Sequence, residues 1–104
     1  MKTLSDLDKI LHELITEYGR EKVEKVALFV VSREYIELMN KATTDVPPII
    51  LEMPNLFWER FKLWYAIMML LTKSKRNEKL SYVWDDELFE REIGMLRRLV
   101  EISS

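Results

Sequence analysis

The sequence predicts an all-α fold, a compact bundle of five to seven helices with no sheet. Apolar residues recur at a spacing near 3.6 along most of the chain, the signature of helices with one buried face. Only 2 glycines and 3 prolines occur in 104 residues, and none of the two-residue hairpin signals is present, so tight β turns have few places to form. The length is that of one domain, 1–104, with N-terminal helices in 1–45 and a further helical region in 46–104.

The first helix is carried by Leu4, Leu7, Ile10, Leu11, Leu14, Ile15 and Tyr18. Ser5 with Asp8 resembles a capping pair, and Gly19 is a natural C-terminal stop. Val23, Val26, Ala27 and Val30 continue at helical spacing, although Val26 to Val31 could also serve as a short buried strand. Helix is preferred, because an isolated strand would have nothing to pair with. Ser32 is placed to cap a further helix carrying Tyr35, Ile36, Leu38 and Met39. Residues 41–46 read as a loop and as the hinge of the chain.

Pro47-Pro48 opens a short helix, since a first-turn proline loses no intrahelical hydrogen bond. Pro54 ends it, and Asn55 can cap the next helix, Leu56 to about Thr72. That helix contains the longest apolar run, Leu63 to Leu71. Nine residues are too few to cross a bilayer, which takes about 20, so the run predicts a buried helix. Asn77 is placed to cap a helix through Trp84, and Asp85 or Asp86 to cap the last one, striped by Phe89, Ile93, Leu96, Leu99 and Val100.

Composition narrows the function. Lys plus Arg is 16 and Asp plus Glu is 18, a net charge of −2, so the chain lacks the basic coat of a duplex-DNA binder. With no cysteine it cannot build a disulfide, a thiolate zinc site or an iron–sulfur cluster. The N-terminus has no apolar run behind a basic start, hence no signal peptide. Together these lead to the expectation of a cytoplasmic protein with no membrane partner.

No self-sufficient active site can be assembled. His12 is the only histidine and has no recognisable nucleophile to serve. Asp6-Leu7-Asp8 and Asp85-Asp86-Glu87 read as acidic helix starts that favour the dipole rather than as metal ligands. Phosphate-cradling glycine motifs are absent. A binding or accessory module, not an enzyme, is the expectation.

Charge is nevertheless uneven. Arg60, Lys62, Lys73, Lys75, Arg76 and Lys79 face a single acid, Glu78, between positions 60 and 79. Asp85, Asp86, Glu87, Glu90 and Glu92 then outnumber Arg91. A basic loop, Lys73 to Asn77, with Trp58, Trp64, Tyr65, Tyr82 and Trp84 around it could hold phosphates and stack bases. The same cations also suit a helix C-terminus, and on spacing alone that reading is preferred. Trp64 belongs to the core, whereas Trp58, in the first turn of its helix, is expected near a surface or groove.

The stretch from Val46 to about Phe89 resembles the helical C-terminal domain of the large subunit of archaeal and eukaryotic DNA primases. The shared pattern is Pro47-Pro48-Ile49-Ile50-Leu51, then Asn55 to Arg60, the apolar helix Phe61 to Leu71, the basic turn Lys73 to Asn77, and Leu80 to Trp84 with Phe89. Ile49 stands where iron–sulfur members carry a cysteine, so the likeness is to cluster-free relatives: the small non-catalytic third subunit of crenarchaeal primases, or the helix-bundle module of plasmid primase-polymerases. The resemblance implies an accessory subunit in DNA replication. It would hold the initiating ATP or GTP and the single-stranded template, while catalytic and large primase subunits make the primer. By position Arg60 would contact phosphate and Trp84 would help form the site, with Phe57 and Trp58 standing where the family has histidines. The implied nucleotide site is Arg60, Lys73, Lys75, Arg76, Trp58 and Trp84, with no metal and no other cofactor. Two rivals remain: a helical protein–protein adaptor, alone or as a dimer, and a small helix-turn-helix regulator reading DNA with Asn77 to Trp84. The acidity of Leu80 to Glu92 opposes the last.

Overall fold

A computed structural model describes residues 1–44 and 54–103. Five helices run through them: α1 (Leu4–Tyr18), α2 (Arg20–Glu34), α3 (Ile36–Thr44), α4 (Asn55–Thr72) and α5 (Asp86–Ile102). The expectation of a helical bundle holds, but the expected absence of a sheet does not. Two short strands, β1 (Lys2–Thr3) and β2 (Val83–Trp84), form an antiparallel ladder in which Lys2 pairs with Trp84 and Thr3 with Val83. Pairing with a distant segment supplies the partner that local spacing cannot reveal.

α4 is the centre of the bundle. Phe61, Leu63, Trp64, Tyr65, Ala66, Ile67, Met69 and Leu71 are all buried, as is Lys62, so the helix is enclosed on every side, as its continuous apolar run requires. α1 packs on α2, α4 and α5, and α2 packs on α4 and α5 as well. α2 buries Val23, Val26, Ala27, Val30 and Val31. That stripe settles its helical character over the strand alternative. α5 closes the bundle with Leu88, Phe89, Ile93, Leu96 and Val100.

Helix ends follow capping chemistry, sometimes at neighbouring residues. α1 starts with a capping box between Thr3 and Asp6, not between Ser5 and Asp8. The Thr3 amide donates to Asp6 Oδ2 at 2.9 Å, and the bonds from Thr3 hold the Asp6 carboxyl below its ordinary pKa. Gly19 stops α1 and starts α2 with φ 92°, its N–H bonded to Ile15 O at 2.8 Å. This is a backbone region that glycine enters readily.

Ser32 lies inside α2 and starts nothing. The break comes at Tyr35, whose N–H donates to Val31 O at 2.7 Å and whose carbonyl accepts from Met39 N. α3 then runs on to Thr44, so residues 41–44 are helix rather than loop. The helix expected at Pro47-Pro48 lies outside the described residues.

Pro54, not Asn55, is the N-cap of α4, its carbonyl accepting from Trp58 N at 3.0 Å. α4 ends at Lys73, the one non-glycine residue with positive φ (56°) among those described. Asp85 caps α5 as expected, Oδ2 accepting from Glu87 N (3.1 Å) and Leu88 N (3.3 Å).

The helix expected from Asn77 to Trp84 does not form. Asn77 folds its side chain back to accept from Lys79 N at 3.0 Å and donates to Ala42 O, a local competition with helix typical of asparagine. The Tyr82 hydroxyl donates to Asn77 O at 3.0 Å. Val83 and Trp84 then extend into the ladder, so the reading helix expected over Asn77 to Trp84 is absent.

Candidate functional site

Arg60 lies in the second turn of α4, on the side facing α5. There Glu92 is buried, only 4 % exposed. Arg60 Nε donates to Glu92 Oε1 at 2.6 Å, and Trp64 Nε1, one turn further along α4, donates to the same oxygen at 3.3 Å. Glu34, at the end of α2, approaches the other side of the guanidinium at 3.6 Å. Burial opposes the charge on Arg60. The hydrogen bond to Glu92, with Tyr35, Glu92 and Glu34 around it, more than offsets this and keeps the pKa above its ordinary value. The guanidinium thus joins three helices through two carboxylates, and a phosphate approaching it would meet negative charge.

Beside this pair lies an aromatic cluster. Tyr35 packs against Phe57 and Phe61, with ring centroids 5.5 and 6.1 Å away. Trp58 stacks on Phe61 at 5.7 Å and is half-buried, so it lies near the surface as expected. Its ring carries the Lys62 ammonium at 5.7 Å, which also pairs with Glu59 at 3.2 Å. Trp58 is therefore occupied by its own neighbours.

Trp84 is not available to stack a base. It is 1 % exposed and lies between Tyr82 and Phe89, at 6.3 and 6.2 Å. Lys73, Lys75 and Arg76 are exposed on the loop after α4, with the Arg76 guanidinium 5.0 Å from the Tyr82 ring. Between Arg60 and Lys73 α4 rises about 1.5 Å per residue, roughly 20 Å in all. The six residues predicted from sequence are thus divided: Arg60 and Trp58 at one end of α4, the basic loop at the other, and Trp84 buried between Tyr82 and Phe89. They do not converge on one ligand.

The surface feature that the sequence reading missed lies on the other side of α2. An open groove of about 740 Å³ is lined by Tyr18 and Gly19 at the α1–α2 junction, by Glu21, Lys22, Lys25, Val26 and Phe29 along α2, and by Leu99 of α5 and Ser103 just beyond it. Phe29 is 58 % exposed there, with the Arg33 guanidinium 5.7 Å from its ring. Lys22 Nζ lies 6.0 Å from the Tyr18 ring, and the Tyr18 hydroxyl donates to Glu101 at 3.1 Å, tying the end of α1 to the end of α5. A signal for this face was present: Leu28 and Phe29 fall off the 3.6-spaced apolar stripe of α2.

A second depression on α1 is lined by Asp8, Lys9, His12, Glu13, Thr16 and Glu17. It belongs to the solvated face of one helix and leaves His12 at the surface. Among the described residues no group of three or more His, Asp or Glu is placed to hold a metal ion, and no helix is long and apolar enough to cross a membrane. No protein-family model, curated protein or solved structure matches the chain.

Proposed function

We propose that this chain is a cytoplasmic, non-catalytic protein–protein adaptor whose working surface is the groove between α2 and α5. The observation that carries the reading is Phe29, an aromatic side chain more than half exposed at the edge of a concave apolar floor. Large exposed apolar surfaces on small soluble proteins mark interaction sites. Leu28 and Ile36, at 49 % and 45 % exposed, extend the apolar character of α2 and the start of α3, and Ile102 at 72 % does so at the end of α5. A photo-crosslinking residue at position 29 and another at 102 should capture the same protein from cells, while one at His12 on α1 captures none. Equal labelling from all three positions would remove the groove from consideration.

A second reading has the exposed loop Lys73, Lys75 and Arg76 in its favour: a primase-type accessory module that holds a nucleoside triphosphate and template for catalytic and large subunits. In this reading the loop, not Arg60, carries the phosphate contacts. Titration of labelled ATP or GTP against the wild type and against Lys73→Ala/Lys75→Ala/Arg76→Ala tests it. Triphosphate binding that the triple variant abolishes supports it, and absence of binding to the wild type ends it.

A further inference from the structure

We infer that the solvent face of α5 docks a second copy of this chain, the two helices crossing antiparallel at Gly94. That glycine is the midpoint of the 17-residue helix. It is exposed, and a Cβ built on it would meet nothing within 4 Å. The fold of one copy therefore has no need of glycine there, although glycine in a helix interior is destabilising relative to alanine. What a missing side chain does allow is the close approach of another backbone.

Charge names the second copy as the occupant. Around Gly94 the open face carries Glu87, Glu90, Arg91 and Arg98, all exposed, with Arg97 half-buried beside them. Glu87, Glu90, Arg97 and Arg98 make no ion pair among the described residues. Glu101, the acid one turn beyond both arginines, is bonded to the Tyr18 hydroxyl instead. At about 100° per residue, Glu90 and Arg97 fall on one flank of Gly94, and Glu87 and Arg98 on the other. Acids thus precede the glycine on both flanks and bases follow it. A two-fold axis at Gly94 reverses the second helix and keeps like flanks together. Glu90 of each copy then meets Arg97 of the other, and Glu87 meets Arg98, the complementarity that fixes register between partners. Arg91 meets a like charge, the other copy's Arg98, but its own neighbour Glu92 at 4.0 Å offsets this. The helix dipole favours acids early and bases late in any helix, yet gives no reason for a glycine between them. A parallel copy would set acid on acid. None of these residues lines the α2–α5 groove, so this face is a second surface, separate from the adaptor reading.

Sedimentation equilibrium on the full chain tests this, at concentrations up to about 1 mM in low salt. A monomer–dimer equilibrium is expected, weakening as salt is raised. Gly94→Leu should weaken the dimer about tenfold or more. Thermal unfolding of the dilute monomer should be unchanged or higher, because leucine is the better helix former and has room in one copy. Glu87→Arg/Glu90→Arg and Arg97→Glu/Arg98→Glu should each be monomeric alone, and an equimolar mixture of the two should restore a dimer at least as tight as the wild type. That restoration separates complementary charge from loss of fold. No self-association of the wild type at about 1 mM overturns the inference. So does a dimer that survives both Gly94→Leu and the charge reversals, or a mixture of the two folded variants that stays monomeric. A dimer dissolved by Phe29→Ser but not by Gly94→Leu places the contact in the groove and overturns it as well. The crosslinker at position 29 reports on the groove alone, so the adaptor reading stands or falls separately.

Discussion

Arg60→Ala should be among the most damaging single substitutions in this bundle, and its cost follows from where it leaves Glu92. That carboxylate is 4 % exposed. Without Arg60 it keeps, among the described residues, Trp64 Nε1 at 3.3 Å and, on the other oxygen, Arg91 at 4.0 Å. Removing one partner of a buried ion pair costs about 3–5 kcal/mol, because the remaining charge stays desolvated. Whole domains are stable by only about 5–15 kcal/mol, and each kcal/mol lowers the Tm of a domain this size by about 4–8 °C. Glu92→Gln should cost far less, about 1–2 kcal/mol. Its amide oxygen still accepts from Trp64 and Arg60, and Arg60 still faces Glu34. The double variant Arg60→Met/Glu92→Met should be more stable than the single variants predict by addition, since it removes both charges. Urea titration followed by tryptophan fluorescence, with Trp64 itself against the pair, measures all three. A loss below about 1 kcal/mol for Arg60→Ala would refute the clamp and return the guanidinium to the list of phosphate ligands.

Three further outcomes can be checked on the same apparatus. Tyr35 is buried with no hydrogen-bond partner for its hydroxyl among the described residues, so Tyr35→Phe should be neutral or stabilising by about 1 kcal/mol near pH 7. Burial, opposed by Arg60 and reinforced by Glu34, pushes its pKa from 10.0 up to about 12. A raised acid pKa contributes stability below the unfolded value that is lost as pH rises through the folded one, here roughly 2–3 kcal/mol between pH 10 and 12. Tyr35→Phe should flatten that part of the stability–pH curve. Lys73→Gly should stabilise by about 0.5–1 kcal/mol, because a left-handed C-cap favours glycine; a drop in Tm would show that the lysine side chain contributes more than its backbone strain costs. Asp85→Ala, which leaves the Glu87 and Leu88 amides without their cap, should cost about 1 kcal/mol by denaturant titration.

Elements whose signal is local were legible in the sequence. The α1 stripe, the stop at Gly19, the buried run of α4 and the Asp85 cap all depend on residues within a few positions of one another. What was illegible depends on distant partners. Arg60 looked like a free cation because Glu92 arrives from another helix, and within the acidic stretch around it nothing marks that one carboxylate as buried. Asn77 looked like a helix cap because an asparagine that caps and one that folds into its own turn read alike. Trp84 falls on the inward side by spacing and is buried, but on a strand rather than a helix, because its pairing partner is the distant Lys2. The groove was legible in part: Phe29 stands outside the α2 stripe, but only the packing of α5 alongside makes its neighbourhood concave.

The ladder between Lys2–Thr3 and Val83–Trp84 also orders events in time. Bringing together segments from nearly opposite ends of the chain incurs a large loop-closure entropy, which two short strands cannot offset by themselves. They can zip only after the helices have already brought them side by side, and they should be the first hydrogen bonds to open. In amide exchange the Trp84 amide, in register with Lys2, would then lose protection well before the interior of α4. Burial of the Trp84 indole becomes the closing step of folding, a late optical marker on a molecule whose other two tryptophans settle earlier.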